Sequence, residues 1–220
     1  MRAIDLSSTS VFLDYDGTIS AVDTGVHLLE RLVGDSWREI EDLYERKVIG
    51  SRECMVRQWA LLPTTEEHLL RSVAAEVPLD PDLGLLVDRL HDARAEVTVV
   101  SDGFGFYVWE PAISVGVPVM TAQADWRTGT LVFPYRDDEC PCADCGTCKQ
   151  APVRAATSRG RTTVFVGDGT SDRMVAPLVD LLYAKDSLAR WCDDNEVPYR
   201  RFSSLRDVAS DLGVLPGSEI

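Results

Sequence analysis

The sequence predicts an α/β fold in which helices cover both faces of a mostly parallel sheet. Four short apolar runs, most of them rich in β-branched residues, recur along the 220-residue chain, as is typical of strands buried on both faces. Segments with helical periodicity lie between these runs. Strands that alternate with helices form parallel sheets, because each helix carries the chain back to the edge where the previous strand began.

The predicted elements follow one another in a simple order. The strands cover residues 11–13, 97–100, 162–166 and 181–184. Helices are predicted over residues 83–93 and 172–181, where apolar residues form one stripe. Alternating polar and apolar residues over 125–133 predict a hairpin that turns near Thr128 and Gly129.

Residues 18–81 differ from the rest because they lack strand signals. Four amphipathic helices are predicted there, over residues 22–33, 37–48, 51–62 and 66–77. A helical block at this place predicts a cap inserted after the first strand. We therefore expect residues 21–84 to form a cap domain, and residues 1–20 and 85–220 to form the core domain that holds the sheet.

The composition is that of a globular protein, with 45% hydrophobic and 26% charged residues. The formal net charge of -14 disfavours nucleic acid as a partner, because no basic run offsets repulsion from a phosphate backbone. No segment reaches the length of a membrane span, and residues 1–10 lack the apolar stretch of a signal peptide. We therefore expect a cytoplasmic protein with no membrane partner.

Two aspartates follow the first predicted strand with one residue between them. Asp14 and Asp16 precede Gly17, and this motif alone is also typical of a hairpin turn, since Asp-Gly suits a positive φ. A second pair, Asp168 and Asp172, follows the third predicted strand in a similar pattern. With a divalent cation present, one carboxylate can attack phosphorus while another transfers a proton. The repeated pattern favours covalent phosphoryl transfer.

A third polar motif, Ser101 and Asp102, follows the second predicted strand. In an open parallel sheet the ligand crevice lies beyond the carboxyl ends of the strands. Three separate parts of the sequence therefore place polar side chains at one edge of the sheet, which predicts a single site there.

Four motifs in this order carry a resemblance to a known family. They are residues 14–18, residues 101–103, Lys149 and residues 167–172. Together they resemble the haloacid dehalogenase (HAD) superfamily of phosphatases over nearly the whole chain, which implies a Rossmann-like sheet and a first-type helical cap. The helical cap resembles that of the phosphoserine phosphatase-like branch. Residues 145–149 further resemble the phosphatases that act on a methylthiopentenyl phosphate and the related phosphoethanolamine or phosphocholine phosphatases.

The resemblance implies roles for the acids. Asp14 would be the nucleophile that takes the phosphoryl group, and Asp16 the general acid that protonates the leaving oxygen and later activates water. Mg²⁺ would bind Asp14, the backbone carbonyl of Asp16, and Asp168, and hard oxygen ligands suit that ion. Asp172 would lie behind these ligands, where it could orient a metal-bound water or Lys149.

The resemblance also implies a phosphate-binding set. The Ser101 hydroxyl and the N–H groups around Asp102 and Gly103 would bind phosphate oxygens, and Lys149 would neutralise charge on the transferring group. From the residues alone, the alternatives are that Ser101 caps a helix or lies in a turn and that Lys149 is an exposed lysine. Cap residues that would contact the substrate, or else lie on solvated helix faces, are Asp23, His27 and Arg52.

Four of the six cysteines crowd into one loop just before Lys149: Cys140, Cys142, Cys145 and Cys148. Thiolates separated by two residues suit a tetrahedral Zn²⁺ site, so zinc is one interpretation of this loop. Packed, reduced thiols that shape the loop are a second interpretation, and disulfides are a third.

These observations predict a Mg²⁺-dependent phosphatase that hydrolyses a small phosphorylated metabolite, such as a sugar phosphate, through an aspartyl-phosphate intermediate. A phosphotransferase or mutase of the same fold is the nearest alternative, because the cap decides whether water or a second acceptor receives the phosphoryl group. A non-catalytic binding module organised by zinc is the alternative from another class. We expect a monomer or homodimer.

Overall fold

The protein is described from a computed structural model that covers residues 4–140 and 144–215. Within these residues, six strands form one sheet: β1 (Thr9–Leu13), β2 (Glu96–Val100), β3 (Val119–Met120), β6 (Thr162–Gly167), β7 (Leu181–Ala184) and β8 (Arg200–Arg201). Their spatial order is β3-β2-β1-β6-β7-β8, and all five pairings are parallel. The predicted α/β fold with a parallel sheet is confirmed.

The predicted hairpin is also confirmed. Strands β4 (Gln123–Asp125) and β5 (Thr130–Val132) pair in antiparallel register as a separate sheet. Gly129 lies in the turn with a φ of +69°, a conformation that favours glycine. The edge strands β3 and β8 were not predicted, because two residues are too short to show periodicity.

Helices cover the sheet on both faces. They are α1 (Thr24–Val33), α2 (Arg38–Glu45), α3 (Ser51–Trp59), α4 (Glu67–Ala74), α5 (Leu83–Asp92), α6 (Trp109–Ser114), α7 (Gln150–Ser158), α8 (Asp186–Asp194) and α9 (Leu205–Asp211). None of the helices in the described ranges is long and apolar enough to cross a membrane.

Strand β1 shows why the sheet needs two helical layers. All of its residues are buried. Val11 and Leu13 belong to the apolar cluster that contains residues of α5 and α9, whereas Phe12 belongs to the cluster with α7 and α8. Successive side chains of a strand point to opposite faces, so a central strand with apolar residues at consecutive positions must be covered on both sides.

The helix predicted over residues 172–181 is wrong. Two short 3-10 helices, Thr170–Asp172 and Ala176–Leu178, replace it. The Asp172 carboxylate accepts hydrogen bonds from the backbone N–H groups of Asp168 and Gly169, which draws the chain into a tight turn. Pro177 then lies in the first turn of the second short helix. The apolar residues that gave this segment its helical periodicity lie in turns instead, where Val175 and Ala176 are buried.

After β1 the chain leaves the sheet to form helices α1 to α4, and it returns to the sheet layers at α5. The two connecting segments run side by side through a bridge between Ser20 and Leu79. The N–H of Ala21 donates to the carbonyl of Pro78 at 2.9 Å. We retain residues 21–84 as the proposed cap domain, although α5 begins at Leu83 and places its first turn across that boundary.

Candidate active site

The carboxyl ends of three neighbouring strands form the candidate site. Asp14 follows β1, Ser101 follows β2 and Asp168 follows β6. The central strand β1 pairs with β2 on one side and β6 on the other, with Leu13 opposite both Val99 and Val166. The chain reverses its direction of progress across the sheet at β1, and such a switch point opens a ligand crevice.

A lysine lies among three carboxyl groups at this edge. One oxygen each from Asp14, Asp168 and Asp172 lie within 4.8 Å of one another. The Lys149 Nζ atom is 2.7 Å from Oδ1 of Asp14 and 2.7 Å from Oδ1 of Asp172. Burial opposes the charge of Lys149, but these two carboxylates outweigh it and raise the lysine pKa. Lys149 is therefore a buried, permanently charged group.

Both carboxylate oxygens of Asp172 form polar contacts. Its Oδ2 atom accepts from the N–H groups of Asp168 and Gly169, each at 3.1 Å, while Oδ1 contacts Lys149. The side chain is fully buried. Lys149 Nζ also donates to Ser171 Oγ at 2.9 Å. Because its oxygens are occupied, Asp172 is suited to orienting Lys149 and the loop around Asp168.

Asp14 presents its two oxygens differently. Oδ1 accepts from the N–H of Tyr15 at 2.8 Å and also forms the ion pair with Lys149. Both contacts fall on one oxygen, so Oδ2 is the oxygen directed to other chemistry. Burial and the charge of Asp172 raise the pKa of Asp14, and Lys149 opposes them.

Asp168 and Gly17 lie in close contact. Thr18 Oγ1 donates to Asp168 Oδ1 at 2.7 Å. Burial, followed by the charge of Asp172, raises the pKa of Asp168 to about 7. Gly17 has a φ of +73°, and a Cβ atom there would lie 2.3 Å from Asp168 Oδ2. Only glycine fits this turn, which explains the glycine of the first acidic motif.

Asp16 faces the opposite side of the site. The N–H of Thr24 donates to its Oδ1 at 2.9 Å, and the Tyr107 hydroxyl donates to its Oδ2 at 3.1 Å. Burial, with the nearby charge of Asp23, raises the pKa of Asp16 to about 8. Asp16 therefore holds a proton at neutral pH, which suits a general acid.

The donor set fits a divalent cation. The acids crowd around a single lysine, and burial, followed by the charge of Asp172, raises the pKa of both Asp14 and Asp168 despite that lysine. Carboxylate oxygens are the ligands that Mg²⁺ prefers. Asp14 and Asp168 are the side chains best placed to hold the ion, because the oxygens of Asp172 are already occupied.

The motif that follows β2 contributes a buried hydroxyl from Ser101 and a carboxyl group, Asp102, that connects three segments of the chain. Ser101 is fully buried, and its Oγ accepts from the N–H of Gly103 at 3.0 Å. Asp102 Oδ1 accepts from the N–H of Thr147 at 2.8 Å. Burial raises the pKa of Asp102, opposed by a hydrogen bond from Ser51 of the helical block. Asp102 thus joins the sheet edge to the cysteine-rich loop and to α3.

Comparison with curated proteins gives relatives of the same length. The chain is 25% identical over 209 residues to a 2-hydroxy-3-keto-5-methylthiopentenyl-1-phosphate phosphatase from Exiguobacterium, covering 92% of this chain and 96% of the relative. A Bacillus cereus protein of the same name is 23% identical over 215 residues, covering 94% and 97%. No family model matches the chain.

Solved structures give the same fold. A phospho-aspartyl intermediate analogue of phosphoserine phosphatase has a TM-score of 0.69 at 15% identity, covering 93% of this chain and 98% of the other. A HAD family hydrolase from Salmonella enterica has a TM-score of 0.73 at 14% identity, covering 97% and 72%. The chain therefore shares its fold with phosphoserine phosphatase and a HAD family hydrolase, and over its length it is similar in sequence to the curated methylthiopentenyl-phosphate phosphatases. The predicted resemblance is confirmed.

A cavity of about 220 Å³ lies between the sheet edge and the helical block. Its floor includes Asp14, Asp16 and Asp168. The lining residues from the helical block include Asp23, Glu41, Tyr44 and Gln58. Of the candidate cap residues, Asp23 lines the cavity, whereas His27 pairs with Glu76 at 3.1 Å and Arg52 is outside the lining.

The structure adds functional candidates that sequence reasoning missed. Tyr107 donates to Asp16, and Glu41 accepts from Gln58 Nε2 at 2.8 Å beside the cavity. Burial raises the pKa of Glu41. Thr18, which bonds Asp168, lay within the first acidic motif and could have been singled out. No local pattern marks Tyr107, Glu41 or Gln58, because tertiary packing brings them to the site.

The cysteine-rich loop of the phosphatase holds a different set of side chains from the four predicted. Ligand atoms of Asp137, Cys140 and Cys148 lie within 4.8 Å of one another. Cys142 falls outside the described residues. Cys145 is half-buried and lies three residues before Cys148. Asp137 was not predicted, because it lies outside the cysteine spacing on which the zinc interpretation depended.

Proposed function

We propose that this protein is a phosphatase of the HAD type, which hydrolyses a small phosphomonoester in a Mg²⁺-dependent reaction through an aspartyl-phosphate on Asp14. One observation carries the proposal. Asp14 lies at the carboxyl end of the central strand with one oxygen held by Tyr15 and Lys149, which leaves Oδ2 for attack on phosphorus. The arrangement of an oriented carboxylate beside a fixed cation supports nucleophilic catalysis.

The proposed first step joins Asp14 to phosphorus. Asp14 Oδ2 attacks, the bond from phosphorus to the leaving oxygen breaks, and Asp16 gives its proton to that oxygen. In the second step Asp16 takes a proton from water, the water oxygen attacks phosphorus, and inorganic phosphate leaves Asp14. The raised pKa of Asp16, about 8, supports the first of its two roles.

Lys149 and Ser101 would bind the transferring group. Lys149 is held in place by Asp14 and Asp172, so its charge needs no reorganisation during the reaction. When bound by Asp14, Asp168 and the backbone carbonyl of Asp16, Mg²⁺ would neutralise charge on the phosphoryl oxygens.

The cavity restricts the leaving group. Asp23 and Glu41 from the helical block line this cavity, and their carboxyl groups disfavour a second negative charge on the substrate. An adjoining cavity of about 360 Å³ is lined in part by the apolar side chains of Val48, Ile49 and Trp191. These features support an uncharged, partly apolar leaving group. The methylthiopentenyl phosphate named for the curated relatives is the first compound to test, beside sugar phosphates.

The test is the variant Asp14→Asn, with Asp88→Asn as control because Asp88 is an exposed acid on α5. With 4-nitrophenyl phosphate and Mg²⁺, we expect Asp14→Asn to lose activity by at least on the order of 10³-fold and the control to keep it. Acid-quenched wild type should carry a hydroxylamine-sensitive phosphoenzyme that Asp14→Asn lacks. Mg²⁺-dependent turnover that survives in a folded Asp14→Asn protein would contradict the nucleophile assignment.

The cytoplasmic location stays a prediction. The choice of water rather than a second acceptor is tested in the same assay by adding alcohols such as glycerol. Free phosphate should equal the released nitrophenol at every glycerol concentration. A shortfall of phosphate would favour a phosphotransferase.

A further inference from the structure

We propose that the loop between β5 and α7 binds a zinc ion through Asp137, Cys140 and Cys148. This site is separate from the carboxylate site that carries the proposed function. It would fix the backbone next to Lys149 without touching the substrate. Zinc would then act on catalysis only through the position of that lysine.

The three side chains already lie close to a zinc-binding geometry. Their ligand atoms fall within 4.8 Å of one another. Tetrahedral zinc with Zn–S bonds of about 2.3 Å and Zn–O bonds of about 2.1 Å places the two sulfurs about 3.8 Å apart and the oxygen about 3.6 Å from each sulfur. A contraction of about 1.2 Å or less brings the three ligands onto one ion, and side-chain rotation can supply it.

The chemistry of the donors favours zinc over magnesium. Two sulfur atoms and one carboxylate form a soft set, whereas Mg²⁺ requires oxygen ligands. Cys140 and Cys148 are only 4% and 1% exposed, so an ion here would be shielded from solvent. Three protein ligands leave the fourth position of the ion to Cys145 of the same loop or to water.

Charge is balanced around the proposed ion. Two thiolates and a carboxylate would leave a zinc centre with one net negative charge. Arg154 supplies the opposite charge, because its Nη2 is 2.9 Å from Asp137 Oδ2 and its Nη1 is 3.8 Å from Cys140 Sγ. A buried metal centre with a neighbouring guanidinium is therefore close to neutral.

The start of α7 also faces the site. The backbone N–H groups of Gln150 and Ala151 donate to the sulfur of Cys148. N–H groups at a helix N-terminus stabilise an anionic sulfur. These N–H groups would support a thiolate at Cys148 once an ion is bound.

The site lies next to the lysine of the active site. Cys148 directly precedes Lys149, and its N–H donates to the carbonyl of Tyr135 at 3.0 Å. Thr147 in turn donates its N–H to Asp102. An ion bound by Cys148 would hold this short stretch between two fixed points, which makes its ligands positioning residues for Lys149.

The experiment uses the full-length reduced protein after removal of bound metal by a chelator, followed by titration with Co²⁺. Bound Co²⁺ should give a thiolate-to-metal charge-transfer absorption and tetrahedral visible bands at one equivalent, and Zn²⁺ should displace it. The signal should disappear in Cys140→Ser and Cys148→Ser and weaken by at least about tenfold in Asp137→Asn. Cys192→Ser is the matched control, because Cys192 is buried on α8.

Two results would overturn the proposal. One is a reduced wild-type protein that gives no thiolate absorption with Co²⁺. The other is a signal that persists in both Cys140→Ser and Cys148→Ser. If a variant fails to fold, mapping of alkylated thiols in wild type with and without Zn²⁺ decides, since the ion should protect Cys140 and Cys148. Mg²⁺-dependent turnover is scored separately, so loss of the zinc proposal leaves the phosphatase proposal standing.

Discussion

The two proposed ion sites of this phosphatase are assembled in opposite ways. The carboxylate site joins Asp14 and Asp168, which lie at the ends of two paired strands and far apart in sequence. The thiolate site joins Asp137, Cys140 and Cys148 of a single loop. Rigid parallel strands hold the first site in place before any ion binds. The second site lacks such a scaffold, so the ion itself would have to fix the loop.

Lys149 connects the two sites, because it follows Cys148 in sequence and pairs with Asp14 in space. The carboxylate site would therefore carry out the chemistry, whereas the thiolate site would position Lys149. Changes at the carboxylate site should remove catalysis or Mg²⁺ binding. Changes at the thiolate site should alter the placement of Lys149 by a smaller amount.

The largest effect should come from Lys149→Met. It removes the one side-chain cation that contacts Asp14 among the described residues, so we expect kcat/KM for an aryl phosphate to fall by on the order of 10³-fold. Arg89→Met is the control, because this exposed cation lies on α5 and pairs with Asp92 at 3.6 Å. If removal of zinc lowered activity as much as Lys149→Met, the distinction between chemistry and positioning would fail.

A smaller effect is expected from Asp172→Asn. The change weakens the contacts that orient Lys149 and the loop around Asp168, so the Mg²⁺ concentration for half-maximal activity should rise by about 10–100-fold. Asp137→Asn should leave that concentration unchanged, since Asp137 belongs to the other site. Calorimetric titration of both variants with Mg²⁺ checks the result. Equal shifts in both would show that the sites are not independent.

The smallest effect should appear in the pH dependence of stability of the metal-free protein. The folded-state pKa of Asp16 is raised to about 8, so the folded protein binds a proton that the unfolded chain releases above pH 4. This contribution is complete below the unfolded pKa and is lost as the pH rises through 8. The free energy of unfolding should therefore fall by more than about 1 kcal/mol between pH 5 and pH 8.5.

Urea unfolding in EDTA measures this trend, and Asp16→Asn should flatten it. Asp168, with a pKa raised to about 7, contributes a loss of the same sign. Added Mg²⁺ should stabilise the protein more at the higher pH, because its ligands must be deprotonated. If Asp16→Asn left the pH dependence of the free energy of unfolding unchanged, the raised pKa assigned to Asp16 would be wrong.

Much of the fold followed from local patterns. Runs of apolar, mainly β-branched residues predicted the strands at residues 11–13 and 162–166, because buried parallel strands must be apolar at consecutive positions. The amphipathic helices of the helical block were placed within a few residues of their ends. The helix predicted over residues 172–181 was wrong, because hydrogen bonds to Asp172 favour tight turns there.

The sequence by itself determined which residue types lie at the strand ends, since the acids of residues 14–18 and 167–172 directly follow strands that burial requires. Only the tertiary structure decided which partners surround them. Tyr107 on Asp16, Glu41 at the cavity and Asp137 beside the cysteines come from segments with no shared periodicity. The physical reason is range: strand formation depends on neighbours along the chain, whereas pKa values and ligand sets depend on neighbours in space.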